Sequence, residues 1–222
     1  MPCKATIYRI FIASPSDVVI ERKAITDVIN DWNAVNSISY KVTLEPVSWE
    51  THATPEMGMR PQAIINKQLV ENSDVLVGVF WTRIGTPTGE AESGTVEEIE
   101  KFIKDGKPVL LYFSSVPVVP DNIDLDQYKQ VRELKQRYEK QGLISSYKSR
   151  NEFRKKLNWH ITNTVNHLNG QYFKDEYSLA VNLNKLSITD LDLVASVMGV
   201  SPDEAKAMLI NALESAEQKG EG

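Results

Sequence analysis

The sequence lacks several features that define familiar classes of protein. Its only cysteine, Cys3, excludes an internal disulfide, and the three histidines are too far apart to suggest a metal site. No apolar run approaches the length of a membrane span, and the run before Ser14 is too short for a secretory signal. We therefore expect a cytoplasmic protein without membrane segments, disulfides or a bound metal.

Acidic residues outnumber basic ones, with 30 aspartates and glutamates against 25 lysines and arginines. The net charge of −5 over 222 residues gives no general attraction to nucleic acid or to anionic membranes. The chain has no P-loop of the G-x-x-x-x-G-K-[ST] type, which disfavours an ATPase of that class. With 41% hydrophobic and 25% charged residues, the composition predicts one globular domain and a small appendage.

The stretch from Asp74 to Phe113 contains the clearest pattern in the chain. An apolar strand at Asp74–Phe80 precedes a polar, glycine-rich loop at Trp81–Gly94. A helix at Thr95–Gly106 then leads to a second apolar strand at Lys107–Phe113. Two nearly continuous apolar runs joined through a helix are typical of parallel strands covered on both faces.

The remaining segments extend the same alternation of strand and helix. Five strands connected by right-handed crossovers predict a flavodoxin-like, doubly wound parallel sheet with strand order 2-1-3-4-5. The stretch Ser48–Arg60 is predicted as a loop. The other predicted strands are Ile7–Ala13, Tyr40–Val47 at an edge, and a short run within 143–148; the other helices begin at a Ser14 cap, at Pro61, at Leu125 and at a Ser149 cap.

The predicted alternation of strands and helices ends near Gly170. We predict an α/β domain over residues 1–170 and a helical appendage over 171–222. Between Ser187 and Gln218, two helices around a tight turn resemble a helix-turn-helix. The second of these helices is acidic, which disfavours DNA binding and favours self-association or the binding of a sensor protein.

Strand order also predicts where a ligand binds. In the order 2-1-3-4-5 the switch point lies between the first and third strands, so the loops after Ala13 and Phe80 should line one crevice. Ser14 and Ser16 would present a helix N-terminus to an anion such as a pyrophosphate. Trp81 would supply a stacking surface and Arg83 a phosphate partner, beside a loop that contains Gly85.

Two stretches resemble the bacterial TIR-like domains found at the head of signalling and defence proteins. They are RIFIASPSDVVIER and ENSDVLVGVFWTRIGTPTGEAESGTVEEIEKFIKDGKPVLLYF, and the resemblance covers roughly residues 5–168. The resemblance rests on five features. They are a serine turn at Ser14; charged residues on the first helix, Asp17, Glu21 and Arg22; a glycine-rich loop with Gly85, Gly89 and Gly94; glutamates after a threonine, Thr95, Glu97 and Glu98; and a glycine-lysine-proline turn, Gly106, Lys107 and Pro108.

The segment SGTVEE is also similar to nucleoside deoxyribosyltransferases, in which the corresponding glutamate attacks the anomeric carbon. Enzymatic TIR domains use a glutamate on this helix to split the nicotinamide–ribose bond of NAD. The resemblance therefore implies that Glu98 acts on the ribosyl C1 of NAD as substrate, with no further cofactor required. It places Trp81 beside the nicotinamide or adenine, and Ser14 and Arg83 at the phosphates.

Each of these residues can also be explained by a purely structural role. Thr95-x-x-Glu98 is itself a capping box, so Glu98 could serve only to bind the Thr95 N–H. Glu97 takes the catalytic place if the helix starts one residue away. Ser14 and Asp17 suit any helix start, Trp81 suits a buried strand end, and Arg83 could pair with Glu90 or Glu92.

Three functions remain open from the sequence. The first is a TIR-like effector that consumes NAD, and the second is a TIR-like interaction module without catalysis. The third is a hydrolase or transferase that acts on the N-glycosidic bond of a nucleoside or nucleotide.

Overall fold

The fold is described by a computed structural model for residues 3–119, 121, 123–170 and 201. The chain divides into two compact units, Met1–Thr162 and Asn163–Gly222. The helix-turn-helix-like pair lies outside the described residues, apart from Ser201 in its turn, and the domain boundary near residue 170 stays a prediction.

The sheet contains five strands, β1 Thr6–Ala13, β2 Val42–Val47, β3 Val75–Phe80, β4 Val109–Ser114 and β5 Ser145–Tyr147. All five are parallel, and their order is β2-β1-β3-β4-β5. This arrangement confirms the predicted flavodoxin-like, doubly wound topology. All six residues of the central strand β3 are buried, which explains why its sequence is apolar without alternation.

The helices are α1 Val19–Tyr40, α2 Trp49–His52, α3 Pro61–Ile65, α4 Gly94–Lys104, α5 Leu125–Glu139 and α6 Arg150–Leu168. The first five lie between successive strands, and α6 follows the last strand. The helix α3 continues into a π-helical turn at Asn66–Val70, and a 3-10 turn at Ser16–Val18 precedes α1. Among the described residues, no helix combines the length and the apolar content that crossing a bilayer requires.

The core lies where apolar helix faces cover the sheet. In α1, the predicted face of Ile25, Ile29 and Trp32 is fully buried, and the Trp32 Nε1–H donates to Thr162 Oγ1 at 3.0 Å. A larger cluster surrounds Phe102 of α4 and includes residues of β1, β3, β4 and α5. Burial of these large side chains supplies the main driving force for folding.

Two predicted features at the starts of helices are wrong. Ser14 does not cap a helix, because the 3-10 turn begins at Ser16 after Pro15 and no side-chain oxygen caps it. Ser93, rather than Thr95, is the N-cap of α4: its Oγ accepts a hydrogen bond from the Val96 N–H at 3.2 Å. Glycine at position 94 can start the helix directly after this cap.

Two further boundaries differ from those predicted. The stretch Ser48–Arg60 is not all loop, because Trp49–His52 forms the short helix α2. The strand β2 starts at Val42 because α1 continues to Tyr40 and Lys41 ends it in a left-handed conformation with φ of 53°.

The tight packing at the centre of the sheet predicts the effect of one substitution. A Cβ on Gly78 of β3 would lie 2.6 Å from Leu111 Cδ2 of β4, so alanine overpacks the core. We expect Gly78→Ala to lower the free energy of unfolding by about 1–2 kcal/mol, as measured by urea denaturation. Gly142→Ala, where no heavy atom lies within 4 Å of the new Cβ, is the control and should not destabilise the fold. Equal stability of both variants would contradict this packing.

Candidate functional site

A cleft of about 320 Å³ lies at the carboxyl ends of β1 and β3, the switch point of the sheet. The loop after β1, the short helix α2, the helix α3, the glycine-rich loop after β3 and the start of α4 form its walls. The side chains and glycines that line it are Ser14, Pro15, Ser16, Trp49, Gln62, Ile65, Gly85, Thr86, Thr88, Ser93, Gly94, Thr95 and Glu98.

Glu98 is the ionisable side chain of this cleft, and it is 6% exposed. Its Oε1 accepts a hydrogen bond from Gln62 Nε2 at 2.9 Å. Within the described part of the chain, no hydrogen bond reaches its second oxygen, Oε2. Burial raises the pKa of Glu98 to about 8; the Gln62 hydrogen bond opposes this rise, and the charges of Glu97 and Glu50 add to it. The carboxyl is therefore mostly neutral at pH 7.

The capping explanation of Glu98 is wrong. Because Ser93 caps α4, Thr95 lies inside the helix and the proposed box with Glu98 does not form. Glu98 instead points its carboxyl to Gln62 of α3. Its burial beside the cleft is thus unrelated to the start of its own helix.

Glu97, the alternative catalytic candidate, has a different environment. Both of its oxygens bind the guanidinium of Arg60, at 2.7 and 2.9 Å, and they also accept from Thr88 Oγ1 and Asn66 Nδ2, each at 2.7 Å. The Arg60 hydrogen bonds lower the pKa of Glu97 despite burial. Glu97 lines a separate groove between α3 and α4, so it is an ionised anchor for the glycine-rich loop.

Three predicted ligand residues, Ser14, Ser16 and Gly85, do line the cleft. The Oγ of Ser14 is buried and has no hydrogen-bond partner among the residues that the structure describes. A hydroxyl in that position is available to a ligand, since buried polar groups are normally paired. Ser14 therefore belongs to the site although it caps no helix.

Trp81 and Arg83, the other two predicted ligand residues, are not among the residues that line the cleft. Trp81 is a half-buried strand-end aromatic whose Nε1–H donates to the Val116 carbonyl at 2.9 Å. Arg83 is exposed, and its backbone N–H donates to Asp17 Oδ2 at 3.0 Å. Asp17 also accepts from Thr82, so it fixes the loop after β3 to the start of the first helical segment.

The carboxylates suggested as partners of Arg83 pair with other arginines: Glu90 with Arg60 and Glu92 with Arg137.

Trp49 and Gln62 are among the cleft residues that sequence reasoning missed. Trp49 is 49% exposed and supplies an aromatic surface that Trp81 does not. Gln62 follows the Pro61 that opens α3 and reaches Glu98 across the cleft. The proline marked the start of that helix, but no local pattern showed that the first turn of α3 faces α4.

The cleft has a distinctive charge composition. Of its lining residues within the described part of the chain, none is a lysine, arginine or histidine. Nowhere in the described residues do three or more histidine, cysteine, aspartate or glutamate side chains form a group that could bind a metal ion. The site therefore presents hydroxyls, one amide, one carboxyl and one exposed indole to a ligand.

Comparison with known families identifies the chain. Residues 9–162 match the family described as "Domain of unknown function (DUF4062)", a span that contains the whole cleft and all of the sheet except the first three residues of β1. The chain belongs to this family. No curated protein matches the DUF4062 chain.

Solved structures show distant likenesses to the DUF4062 chain. Translation elongation factor SelB from Methanococcus maripaludis is 12% identical with a TM-score of 0.42; the match covers 74% of this chain and 36% of that protein. Flavodoxin 1 from Bacillus cereus is 15% identical with a TM-score of 0.33, and the match covers 73% of this chain and 99% of flavodoxin. The fold is defined by the strand order itself.

The buried carboxyl predicts an unusual dependence of stability on pH. Between the ordinary pKa of 4.5 and about 8, folded Glu98 holds a proton that the unfolded chain has lost. Stability therefore falls as pH rises through this window, by an upper limit of about 5 kcal/mol. Urea denaturation at pH 5, 6, 7 and 8 should show wild type losing stability relative to Glu98→Gln. Parallel pH profiles of the two proteins would contradict the raised pKa.

Proposed function

We propose that the DUF4062 chain hydrolyses the bond between nicotinamide and ribose in NAD, with Glu98 as the catalytic carboxylate. The observation that carries the proposal is the position of Glu98: a nearly fully buried carboxyl at the switch-point cleft, with one oxygen bonded to Gln62 and the other without a protein partner. Open α/β sheets bind their ligands at this point of the topology. A strongly perturbed carboxyl in a cleft is a frequent mark of a catalytic group.

The chemistry of the bond suits such a carboxyl. When the ribosyl C1–N bond breaks, its electron pair leaves with nicotinamide and positive charge develops on the ribose. A carboxylate beside C1 stabilises or traps this oxocarbenium-like centre, and water then adds to C1 and releases a proton. Because the nicotinamide ring of NAD is already cationic, its binding beside Glu98 favours the ionised carboxylate.

The size and lining of the cleft support one orientation of the substrate. A volume of about 320 Å³ is at the small end for ligand pockets and suits the nicotinamide riboside half of NAD. Trp49 offers a surface on which the nicotinamide ring can stack, and Ser14 Oγ offers a hydrogen bond to the sugar. The adenosine half then extends out of the cleft.

One observation favours a second candidate function. No basic side chain among the described residues lines the cleft, so no side-chain cation there would bind a pyrophosphate. A neutral nucleoside needs none, and a protonated Glu98 could donate its proton to the leaving base. Nucleoside N-glycosyl hydrolysis or transfer is thus the alternative, and thermal-shift measurements with NAD, ADP-ribose and deoxynucleosides distinguish the two.

The biological role that we propose is bacterial signalling or antiphage defence, as a TIR-like effector. The segment 171–222 would then mediate self-association or bind a sensor protein. This proposal rests on the resemblance of the loop after β1 and the β3–β4 region to TIR-like domains. If the chain binds NAD but never cleaves it, the non-catalytic interaction module becomes the better description.

Removal of the carboxyl should abolish the reaction. We expect Glu98→Gln to reduce nicotinamide release from NAD by at least about 10³-fold, because the amide cannot stabilise the ribosyl cation. Nicotinamide is measured by chromatography at high protein concentration, with and without a crowding agent. Glu100→Gln is the matched control, since Glu100 is an exposed carboxylate on the same helix, outside the cleft. Equal turnover by wild type and Glu98→Gln would remove Glu98 from the mechanism.

The raised pKa also predicts a pH–rate profile. Only the ionised form of Glu98 acts on NAD, and its pKa in the free protein is about 8. The value of kcat/KM for NAD should therefore rise roughly fifty-fold between pH 6 and pH 8 and level off above that. Steady-state kinetics over pH 5.5–9.5 measure this profile. An activity that is flat or falling over that range would exclude the proposed role of an ionised Glu98.

A further inference from the structure

The two neighbouring glutamates of α4 are connected by two amide side chains. Asn66 donates from Nδ2 to Glu97 Oε1 at 2.7 Å. Gln62 donates from Nε2 to Asn66 Oδ1 at 3.2 Å and to Glu98 Oε1 at 2.9 Å. Asn66 is 2% exposed, so this connection runs through the interior between α3 and α4.

The direction of each hydrogen bond follows from the ion pair at one end. Glu97 is held ionised by Arg60, and a carboxylate can only accept hydrogen bonds. Asn66 must therefore turn its NH₂ group to Glu97 and its carbonyl oxygen to Gln62. Gln62 in turn must present its NH₂ group, whose two hydrogens serve Asn66 and Glu98. Glu98 Oε1 is consequently an acceptor, and the proton of the neutral carboxyl resides on Oε2.

We propose that Gln62 is a positioning residue that binds Oε1 of Glu98 and thereby presents Oε2 to the ligand. The assignment of the ligand as a ribosyl group rests on the proposed NAD hydrolysis; the assignment of the two oxygens does not. In the absence of Gln62, the Glu98 carboxyl would have no hydrogen bond from the described residues and could rotate between orientations.

Gly94 keeps Gln62 in its place. A Cβ built on Gly94 collides with Gln62 Oε1, so any larger residue would displace this amide. The backbone of Gly94 does not have a positive φ, and alanine favours helices more than glycine does. Gly94→Ala should therefore move Gln62 without harming α4. Glycine at the first position of α4 is thus explained by the amide that packs against it.

The charged groups around Glu98 make the role of Gln62 measurable. Glu97 of α4 and Glu50 of α2 both oppose ionisation of Glu98 by their negative charge. Each has a cationic partner of its own, Arg60 for Glu97 and Arg22 for Glu50. Of the groups in the described residues that act on Glu98, Gln62 alone favours the ionised carboxylate. Its removal should therefore raise the pKa of Glu98.

The test is a titration of the Glu98 carboxyl in the full chain by ¹³C NMR with labelled glutamate, assigned with Glu98→Gln. We expect Gln62→Leu to raise the pKa of Glu98 by about one pH unit, which corresponds to loss of one hydrogen bond to a charged group. Gly94→Ala should shift it in the same direction while circular dichroism stays unchanged. Gln68→Leu is the control, because Gln68 binds Thr54 and Glu56 instead.

The titration is independent of catalysis. A Glu98 pKa that moves in neither Gln62→Leu nor Gly94→Ala, compared with Gln68→Leu, overturns the positioning role. If Gln62→Leu does not fold, Gly94→Ala decides alone. If the pKa of Glu98 shifts in these variants but the wild-type protein does not cleave NAD, the positioning role stands and the proposed hydrolysis is rejected.

Discussion

The site depends on the burial of one carboxyl without a cation beside it. Removing Glu98 from water penalises its charged form, and the neighbouring carboxylates increase that penalty. A single hydrogen bond from Gln62 offsets part of it. If Glu98 only filled space, an apolar side chain would serve as well, because replacing a buried hydrogen-bonded pair by apolar groups of the same shape can be nearly neutral. The catalytic role that we propose for Glu98 would account for its presence at the cleft.

The two adjacent glutamates show how one helix can separate two roles. Glu97 faces Arg60, Thr88 and Asn66, and its four hydrogen bonds connect the glycine-rich loop to α3 and α4. Glu98 is the next residue of the helix, so its side chain points in a different direction and lines the cleft. One carboxyl thus holds the wall of the site in place and has a lowered pKa, whereas the other lines the site and has a raised pKa. Such divergent environments are a known means of assigning different functions to similar groups.

The sheet and part of the cleft were predictable from the sequence, since both depend on local patterns. Buried strands such as Val75–Phe80 are apolar throughout, and their alternation with helices restricts the strand order. That order placed the loops after Ala13 and Phe80 at one crevice, and Ser14 does line the cleft there. Glu98, which also lines it, was assigned to the site by the resemblance of its segment to known families. Trp81 and Arg83 were misplaced because the direction of a side chain in a long loop depends on distant partners, here Val116 and Asp17. Gln62 was missed for the same reason: its contact with Glu98 spans 36 residues and leaves no periodic signal.

In the reaction that we propose, the ribosyl carbon of NAD binds against Glu98 Oε2. It is tested most directly by a crystal structure of Glu98→Gln soaked with NAD, in which the substrate should persist. We expect density for nicotinamide riboside in the cleft, with its anomeric carbon within about 3.5 Å of the side chain at position 98. NAD bound elsewhere on the chain, or bound with its adenine in the cleft and the nicotinamide remote from position 98, would contradict it.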